Sequence, residues 1–464
     1  MPARRIAVVG GGISGLTAAY RLRRALGDDA DIDVYEAGPR VGGVLHTVDV
    51  GGRMVDVGAE AFIVRRPEAL ELIRELGLAD RVVSPTSRRP AVWSNGRLHR
   101  LPTPALMGIP ATPEAVSDLV EPADLERMAQ ESTRPLSWRA GDDPSVGELV
   151  ADRFGPSVVA RSVDPMLGGV YSSLAADIGV REALPALSAA LDQGAANLTA
   201  AVADLTAKAT GAGPVFGTLV GGYAVLLDAL TEAAGVQPQM CRHIRELAPE
   251  NGGWSLEVER DRHVHYDGVV LAVPAWQAGH LLRRTAPAMA APLQAVPRAS
   301  SLMVSIALEP GTELPDHSGV LVATGDTLRA KAFTFSSRKW AHLADDGPVS
   351  VRASFGRYRA PIPDDCIEEG VDDRIRAEAL EDLDAVCAAA GVGAPSGRVR
   401  ATYVQRWTNG LPVYAPGHLA SMAAVEAARP AGLVLAGSAY AGVGVPACIG
   451  QAGRAVSALL GDLV

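Results

Sequence analysis

Short β-branched runs and amphipathic stretches alternate from the start of the chain. Residues 5–9 (RIAVV) are an apolar run that predicts a buried strand. A glycine-rich hexamer follows. LTAAYRLRRAL then puts Leu16, Ala19, Tyr20, Leu22 and Leu26 at helical spacing, as the inner face of a helix. Residues 32–36 (IDVYE) predict a second strand. Strand, turn, helix and strand thus fall within about 30 residues, the span of a βαβ unit. A further helix opens at Pro67 and stops near Gly77. AVWSNGRLHRL holds Asn95-Gly96 between alternating runs, which signals a hairpin. From 104 to 214 the pattern is mostly helical and Ala-rich. Strand patterns return at 254–273, 300–308 and 349–355, and a long helix is predicted over 369–390. The tail predicts a strand at 433–435, a glycine loop and a helix.

Composition narrows the function class. The 464 residues are 48% hydrophobic and 21% charged, as in ordinary globular proteins. Lys+Arg is 43 and Asp+Glu is 53, a net charge of −10, so the chain lacks the basic field that nucleic acid requires. Cys241, Cys366, Cys387 and Cys448 are far apart, with no C-x-x-C pair, which argues against a zinc ribbon or disulfide framework and for reduced thiols in the cytoplasm. The opening MPARR and IAVVGGGISGL imitate a secretion signal, but three glycines break the apolar part and no small-residue cleavage site follows. Residues 431–450 are twenty uncharged positions, close to the length of a membrane span. They hold five Gly and Pro446, so they read as strand, loop and buried helix, and no transmembrane segment is expected.

The candidate chemistry starts at Gly10-x-Gly12-x-x-Gly15, placed after a strand and before a helix. Gly10 permits the tight turn, Gly12 lets backbone approach a pyrophosphate, and Gly15 lets helix and strand pack closely. Ile13 and Ser14 open the helix, whose free N–H groups and positive dipole end would face the phosphates. Glu36 ends the second strand, where its carboxylate accepts ribose hydroxyls, with Ala37 next to it. Arg40-x-Gly42-Gly43, with Thr47 beyond, is a second glycine pair that a nicotinamide site does not need. FAD needs it, because its chain runs on past the first loop.

This spacing resembles the GG-motif flavoproteins, the superfamily of amine oxidases, phytoene desaturases and protoporphyrinogen oxidases. Further stretches resemble the protoporphyrinogen/coproporphyrinogen III oxidase family: Asp56 to Phe62 after the glycine pair, Leu98 to Pro102, Met107-Gly108-Ile109-Pro110, Gly169-Val170-Tyr171, Phe216 with Gly221-Gly222, Arg406-Trp407, Pro412-x-Tyr414 with Gly417-His418, and Gly442-x-Gly444-x-Pro446-x-Cys448-Ile449. Two positions depart from the family pattern: Ser172-Ser173-Leu174 replaces a small residue, Gly and Asp, and Ala447 stands where Asp is frequent.

The resemblance implies an α/β fold, with a Rossmann-like FAD-binding domain (1–85, 215–295, 428–464), an inserted α+β substrate domain (86–103, 296–427) and a mostly helical domain (104–214). It implies FAD held further by Ile244, Trp407, Gly437, Gly442, Gly444 and Val445. The implied reaction is oxidation of a porphyrinogen, with hydride passing from a meso carbon to flavin N5 and O₂ reoxidising the flavin to give hydrogen peroxide. Six electrons leave in three rounds. No side-chain nucleophile, metal or strong base is needed, so no catalytic residue is assigned. The substrate is a broad apolar disc edged by carboxylates, which calls for apolar walls and rim arginines. Arg65, Arg89, Tyr171 and Tyr414 are the substrate-side candidates, with Arg66 and Arg88 close by and Pro90 at the position matching the family's arginine.

Coproporphyrinogen III is the expected substrate over protoporphyrinogen IX, because four carboxylates make it water-soluble and the chain has no evident basic amphipathic anchor. An amine oxidase or carotenoid desaturase of the same superfamily, and a carrier that binds without turnover, remain as alternatives. Partners implied are the porphyrinogen, molecular oxygen and a downstream ferrochelatase. Uncharged residues 104–112 read either as a peripheral membrane contact or as a buried connector. His263-x-His265 reads as an exposed strand face, and Cys448 as a buried small apolar residue.

Overall fold

The computed structural model describes residues 4–208, 213–360, 362 and 370–463. Its centre is a parallel sheet in the order Asp31–Tyr35, Arg5–Val9, Gly268–Leu271, Leu433–Leu435. The strand Arg5–Val9 is covered on both faces, which is why it reads as a continuous apolar run. Ile6 and Val8 enter one core with the helices Ile13–Leu26, Ala224–Ala234 and Val445–Asp462. Ala7 and Val9 enter a second core with the meander Leu247–Glu250, Gly253–Glu259, Arg262–Tyr266 and the helix Ala275–Leu282.

A seven-stranded sheet lies apart from this one. Its order is Val399–Pro412, Arg298–Leu308, Val349–Phe355, Ala332–Thr334, Gly319–Val322, Ala91–Ser94, Arg97–Arg100. Every pair is antiparallel except Gly319–Val322 with Ala91–Ser94. The helix Val371–Ala389 shares its core, burying Val371, Ile375, Leu383 and Val386. Asn95 and Gly96, both at positive φ, turn the hairpin 91–100 as their sequence predicts. Of the long helix expected over 369–390, position 369 lies outside the described residues, as does Cys366.

The third part is a bundle of short helices from Pro122–Ala129 to Leu198–Lys208. Inside it Arg153 and Glu131 form a buried pair at 2.8 Å, and Glu131 also accepts the Leu198 N–H at 3.0 Å. Of the uncharged stretch 104–112, residues 108–111 are buried. Ile109 and Ala111 are buried, and Gly108, at φ +85°, sits against Ser162 with no room for a side chain. This half packs on the helical bundle as a connector, while Pro104 is exposed and Ala105, Leu106 and Met107 are half-buried. No described helix is long and apolar enough to cross a membrane.

Candidate functional site

Two glycine motifs far apart in sequence become neighbours. Gly12 and Gly42 pair as a parallel bridge, and Gly42 N–H donates to Gly11 O at 2.8 Å. The motif glycines divide by what surrounds them. Gly10, at φ +109°, and Gly15 have no space at all: a Cβ on Gly15 would sit deep inside Gly10 O, with Gly10 C at 3.0 Å. Gly42, at φ +102°, would meet Leu45 O at 2.5 Å and Leu227 Cδ1 at 2.6 Å. These glycines close the turn on itself. Gly12 differs, since its Cβ would meet only Gly43 Cα, at 3.9 Å. It faces open space beside an uncapped helix N-terminus, where Ile13 and Ser14 begin the first turn. That combination, a bare cradle and unclaimed N–H groups, fits a pyrophosphate.

Glu36 stands at the edge of the cradle. Its Oε2 accepts from Gly11 N–H at 2.8 Å and its Oε1 from Gly38 N–H at 2.7 Å. Each oxygen keeps a lone pair for a ribose hydroxyl. Ala37 follows on the exposed side. The segment bearing Ile244 runs beside Glu36: Glu36 N–H donates to Gln239 O and Arg242 N–H to Glu36 O. Ile244 follows two residues after Arg242, half-buried against the second core.

Arg40 turns inward. Its guanidinium donates to Val41 O, Leu45 O and Gly43 O at 2.7–2.9 Å and lies 5.8 Å from the Trp407 ring centre. Trp407 in turn donates its indole N–H to Val57 O at 3.0 Å, with Cζ2 3.2 Å from where a Cβ on Gly58 would be. Arg40 and Trp407 thus fasten the second glycine turn to the seven-stranded sheet.

The tail returns to the same place. The helix Val445–Asp462 starts at Gly444 without a side-chain cap and packs on the helix Ile13–Leu26. Gly437 N–H donates to Gln451 Oε1 at 3.1 Å, and Gln451 Nε2 to Leu435 O at 2.8 Å. Gly442, at φ +122°, shapes the loop. Cys448 is buried behind it, its thiol pushed up to about 11 by burial, which makes it an inert packing residue.

Tyr414 and His418 brace this loop. The Tyr414 hydroxyl donates to Ser438 O and accepts the Gly442 N–H at 2.7 Å. His418 stacks on Tyr414 with ring centres 4.2 Å apart and bonds Ala439 O through Nε2 at 2.7 Å. Burial pushes the Tyr414 phenol well above its ordinary range, so it stays a donor. Tyr414→Phe strands two backbone groups, at a cost of about 1–3 kcal/mol to the loop. The expected result is weaker FAD retention on gel filtration, with secondary structure unchanged by circular dichroism.

The substrate-side candidates do not gather as a set. Tyr171, half-buried at the end of the helix Asp164–Tyr171, lies 6.4 Å from Tyr414 between ring centres. The Tyr414 hydroxyl is committed to the loop. Arg65 is exposed and donates to Gly213 O at 3.0 Å, and Arg89 is exposed beside Thr103 at 3.4 Å. Arg88 pairs with Asp316 at 2.6 Å. Arg66 is the arginine at the glycine loop, its Nη1 3.8 Å from a Cβ position on Gly442, and it pairs with Glu68 at 2.7 Å. Sequence order cannot tell Arg65 from Arg66, because neighbouring side chains point apart by backbone geometry that the local pattern does not encode.

Sequence reasoning also missed a buried charge cluster. Glu60 meets Lys339 at 2.9 Å and Arg352 at 3.5 Å and accepts from Ser336, while Arg352 donates to Gly58 O. This ties the strand after the glycine pair to the far sheet. His263 and His265 are exposed on their strand, and the described residues contain no group placed to hold a metal.

Comparison with known proteins agrees with this geometry. The family model for flavin containing amine oxidoreductase matches residues 13–460. Coproporphyrinogen III oxidase of Mycobacterium leprae is 46% identical over 463 residues, covering all of both chains. The Mycobacterium tuberculosis protein of the same name is 45% identical over 460 residues, covering 99% of this chain and 98% of its own. A crystal structure of a proposed protoporphyrinogen oxidase from Exiguobacterium sp. 255-15 superposes with a TM-score of 0.85 at 27% identity, covering 98% of each chain. Cyclohexylamine oxidase from Brevibacterium oxydans, with TM-score 0.69 at 18% identity and all of both chains covered, shares the fold. This chain therefore belongs to the flavin-containing amine oxidoreductases, and FAD is its cofactor.

Proposed function

We propose that the protein oxidises coproporphyrinogen III to coproporphyrin III in haem biosynthesis, with O₂ as acceptor and hydrogen peroxide as product. The observation that carries this reading is identity of 45–46% along the whole chain to mycobacterial proteins of that activity. When bound, FAD supplies the electron acceptor, and three two-electron rounds complete the macrocycle. The chain supplies position and exclusion of water. Gly10, Gly12, Ile13, Ser14 and Gly15 receive the pyrophosphate, Glu36 and Ala37 the ribose, and Ile244 the adenine side. Arg40, Gly42, Gly43 and Trp407 hold the middle of the cofactor. Gly437, Gly442, Gly444 and Val445 close on its far end. Tyr171 and Tyr414 are the substrate-side aromatic candidates, and Arg65, with Arg66 beside it, and Arg89 are the candidates for a rim carboxylate. No proton transfer by a side chain is required.

We read the chain as three parts with the boundaries given above. A cytoplasmic location and a ferrochelatase receiving the product complete the proposal. The Exiguobacterium likeness favours a second reading, protoporphyrinogen IX oxidation. Turnover of the two porphyrinogens, followed by porphyrin fluorescence, separates them. Faster turnover of the tetracarboxylate is expected, and faster turnover of the dicarboxylate would reverse the assignment.

A further inference from the structure

The segment that braces the glycine loop is itself held by two carboxylates from the helical part. Asp143 Oδ2 accepts from Gly417 N–H at 2.7 Å, and its Oδ1 from Arg181 N–H at 3.0 Å. Glu182 Oε1 accepts from Leu419 N–H at 2.9 Å. Between them, Gly179 N–H donates to Tyr414 O at 2.8 Å. The backbone of residues 414–419 thus docks on Asp143, Gly179 and Glu182. Its side chains Tyr414 and His418 dock on residues 438–442.

The remaining oxygen of Glu182, Oε2, is buried and has no hydrogen-bond partner among the described residues. It points into the space that Asp143 also occupies. A Cβ on Gly179 would run into Glu182 Oε2 and lie 3.0 and 3.1 Å from the two Asp143 oxygens. Two carboxylates converging there, with no cation between them among the described residues, do not both stay ionised. Arg181, whose backbone N–H binds Asp143, turns its guanidinium to Asp192, at 2.8 Å to each oxygen, and to Asp142 O at 2.9 Å. The other groups around the pair are Asp142, Tyr171, Tyr414 and His418, and none supplies a positive charge. His418 is buried, which lowers its affinity for a proton.

We propose that Asp143 and Glu182 hold one proton between them and act as positioning residues for the FAD site, seating residues 414–419 against the glycine loop while that proton is present. The inference rests on the FAD site and not on the identity of the substrate.

Burial, with Asp143 adding to it, pushes the Glu182 carboxyl up to about 7. The proton therefore leaves the folded protein as pH rises through neutrality. Between the ordinary value of 4.5 and about 7 the folded state binds more protons than the unfolded chain, so this group's contribution to stability falls as pH rises across that window. The posture of residues 414–419 follows the folded-state value and loosens near pH 7.

The test is FAD titration of the apoprotein by flavin fluorescence, at about pH 6 and about pH 8, in wild type and Glu182→Gln. The amide donates to Asp143 without a titratable proton. Wild-type affinity should fall about fivefold or more over this interval, while Glu182→Gln keeps the low-pH affinity at both. Amide hydrogen exchange of wild-type residues 414–419, corrected for intrinsic rate, gives an answer even if the variant does not fold: protection should drop above neutrality. An equal pH response in both proteins, or unchanged protection across the interval, would overturn the proposal.

Discussion

Gly15→Ala should yield a colourless protein that does not take up FAD. The new methyl would lie inside Gly10 O and 3.3 Å from Ala272 Cβ. Neither neighbour can yield. Gly10 N–H is tied to Tyr35 O at 2.7 Å and Ala272 N–H to Val9 O at 2.7 Å, so both are anchored to the parallel sheet. The helix Ile13–Leu26 must shift instead, which moves its N-terminus off the phosphate position. Overpacking of this kind costs about 1–3 kcal/mol and lowers the melting temperature as well. Gly12→Ala is the matched control. Its Cβ meets only Gly43 Cα at 3.9 Å, so the fold should melt as wild type does while FAD affinity is lost to the occupied cradle. Differential scanning calorimetry with flavin absorbance on the two variants separates these effects. A Gly15→Ala protein that purifies yellow would show that the turn is not where the cofactor sits.

Glu60→Ala has the largest expected effect on stability. The side chain is held between Lys339 and Arg352, the latter only 7% exposed. Removing the carboxylate leaves the buried Arg352 and the half-buried Lys339 without their anion, a loss of about 3–5 kcal/mol. Burial alone would raise the Glu60 carboxyl, but Lys339, Arg352 and Ser336 outweigh it and hold it well below the ordinary 4.5. The stabilisation is therefore fully present above about pH 4.5 and disappears as pH falls toward the lowered folded value. Urea unfolding of wild type and Glu60→Ala should differ by a constant amount at neutral pH and converge in acid. A difference that persists unchanged into acid would assign the effect to packing instead of charge. Trp407 fluorescence is a useful companion signal, since the same joint positions Gly58 beside its ring.

What could be read in advance follows from how local each constraint is. The first glycine turn was legible because the closest conflict it avoids, Gly15 with Gly10, arises within a strand–turn–helix unit whose residue types are dictated by space. The hairpin 91–100 was legible through Asn95-Gly96 for the same reason. The strand Val399–Pro412 was not. Apart from two exposed positions it is half-buried along its length, so no alternation of period two appears. Gly319–Val322 and Ala332–Thr334 are too short to carry a pattern. Among site residues, the Glu60–Lys339 contact joins positions 279 apart, and no local rule announces it. Tyr414 was noticed, but only the fold reveals that its hydroxyl is claimed by Ser438 and Gly442. Cys448, expected to be a buried apolar residue, is one, because the N-terminal turn of the last helix packs into the core.

The central claim is that FAD lies between the opening glycine turns and the returning tail, within reach of a reduced tetrapyrrole. The most direct measurement is anaerobic mixing of the FAD-loaded protein with coproporphyrinogen III, followed by admission of air. Bleaching of the flavin absorbance on mixing, its return with oxygen, and the joint appearance of porphyrin and peroxide are predicted. A flavin that keeps its colour in the presence of coproporphyrinogen III would contradict the account.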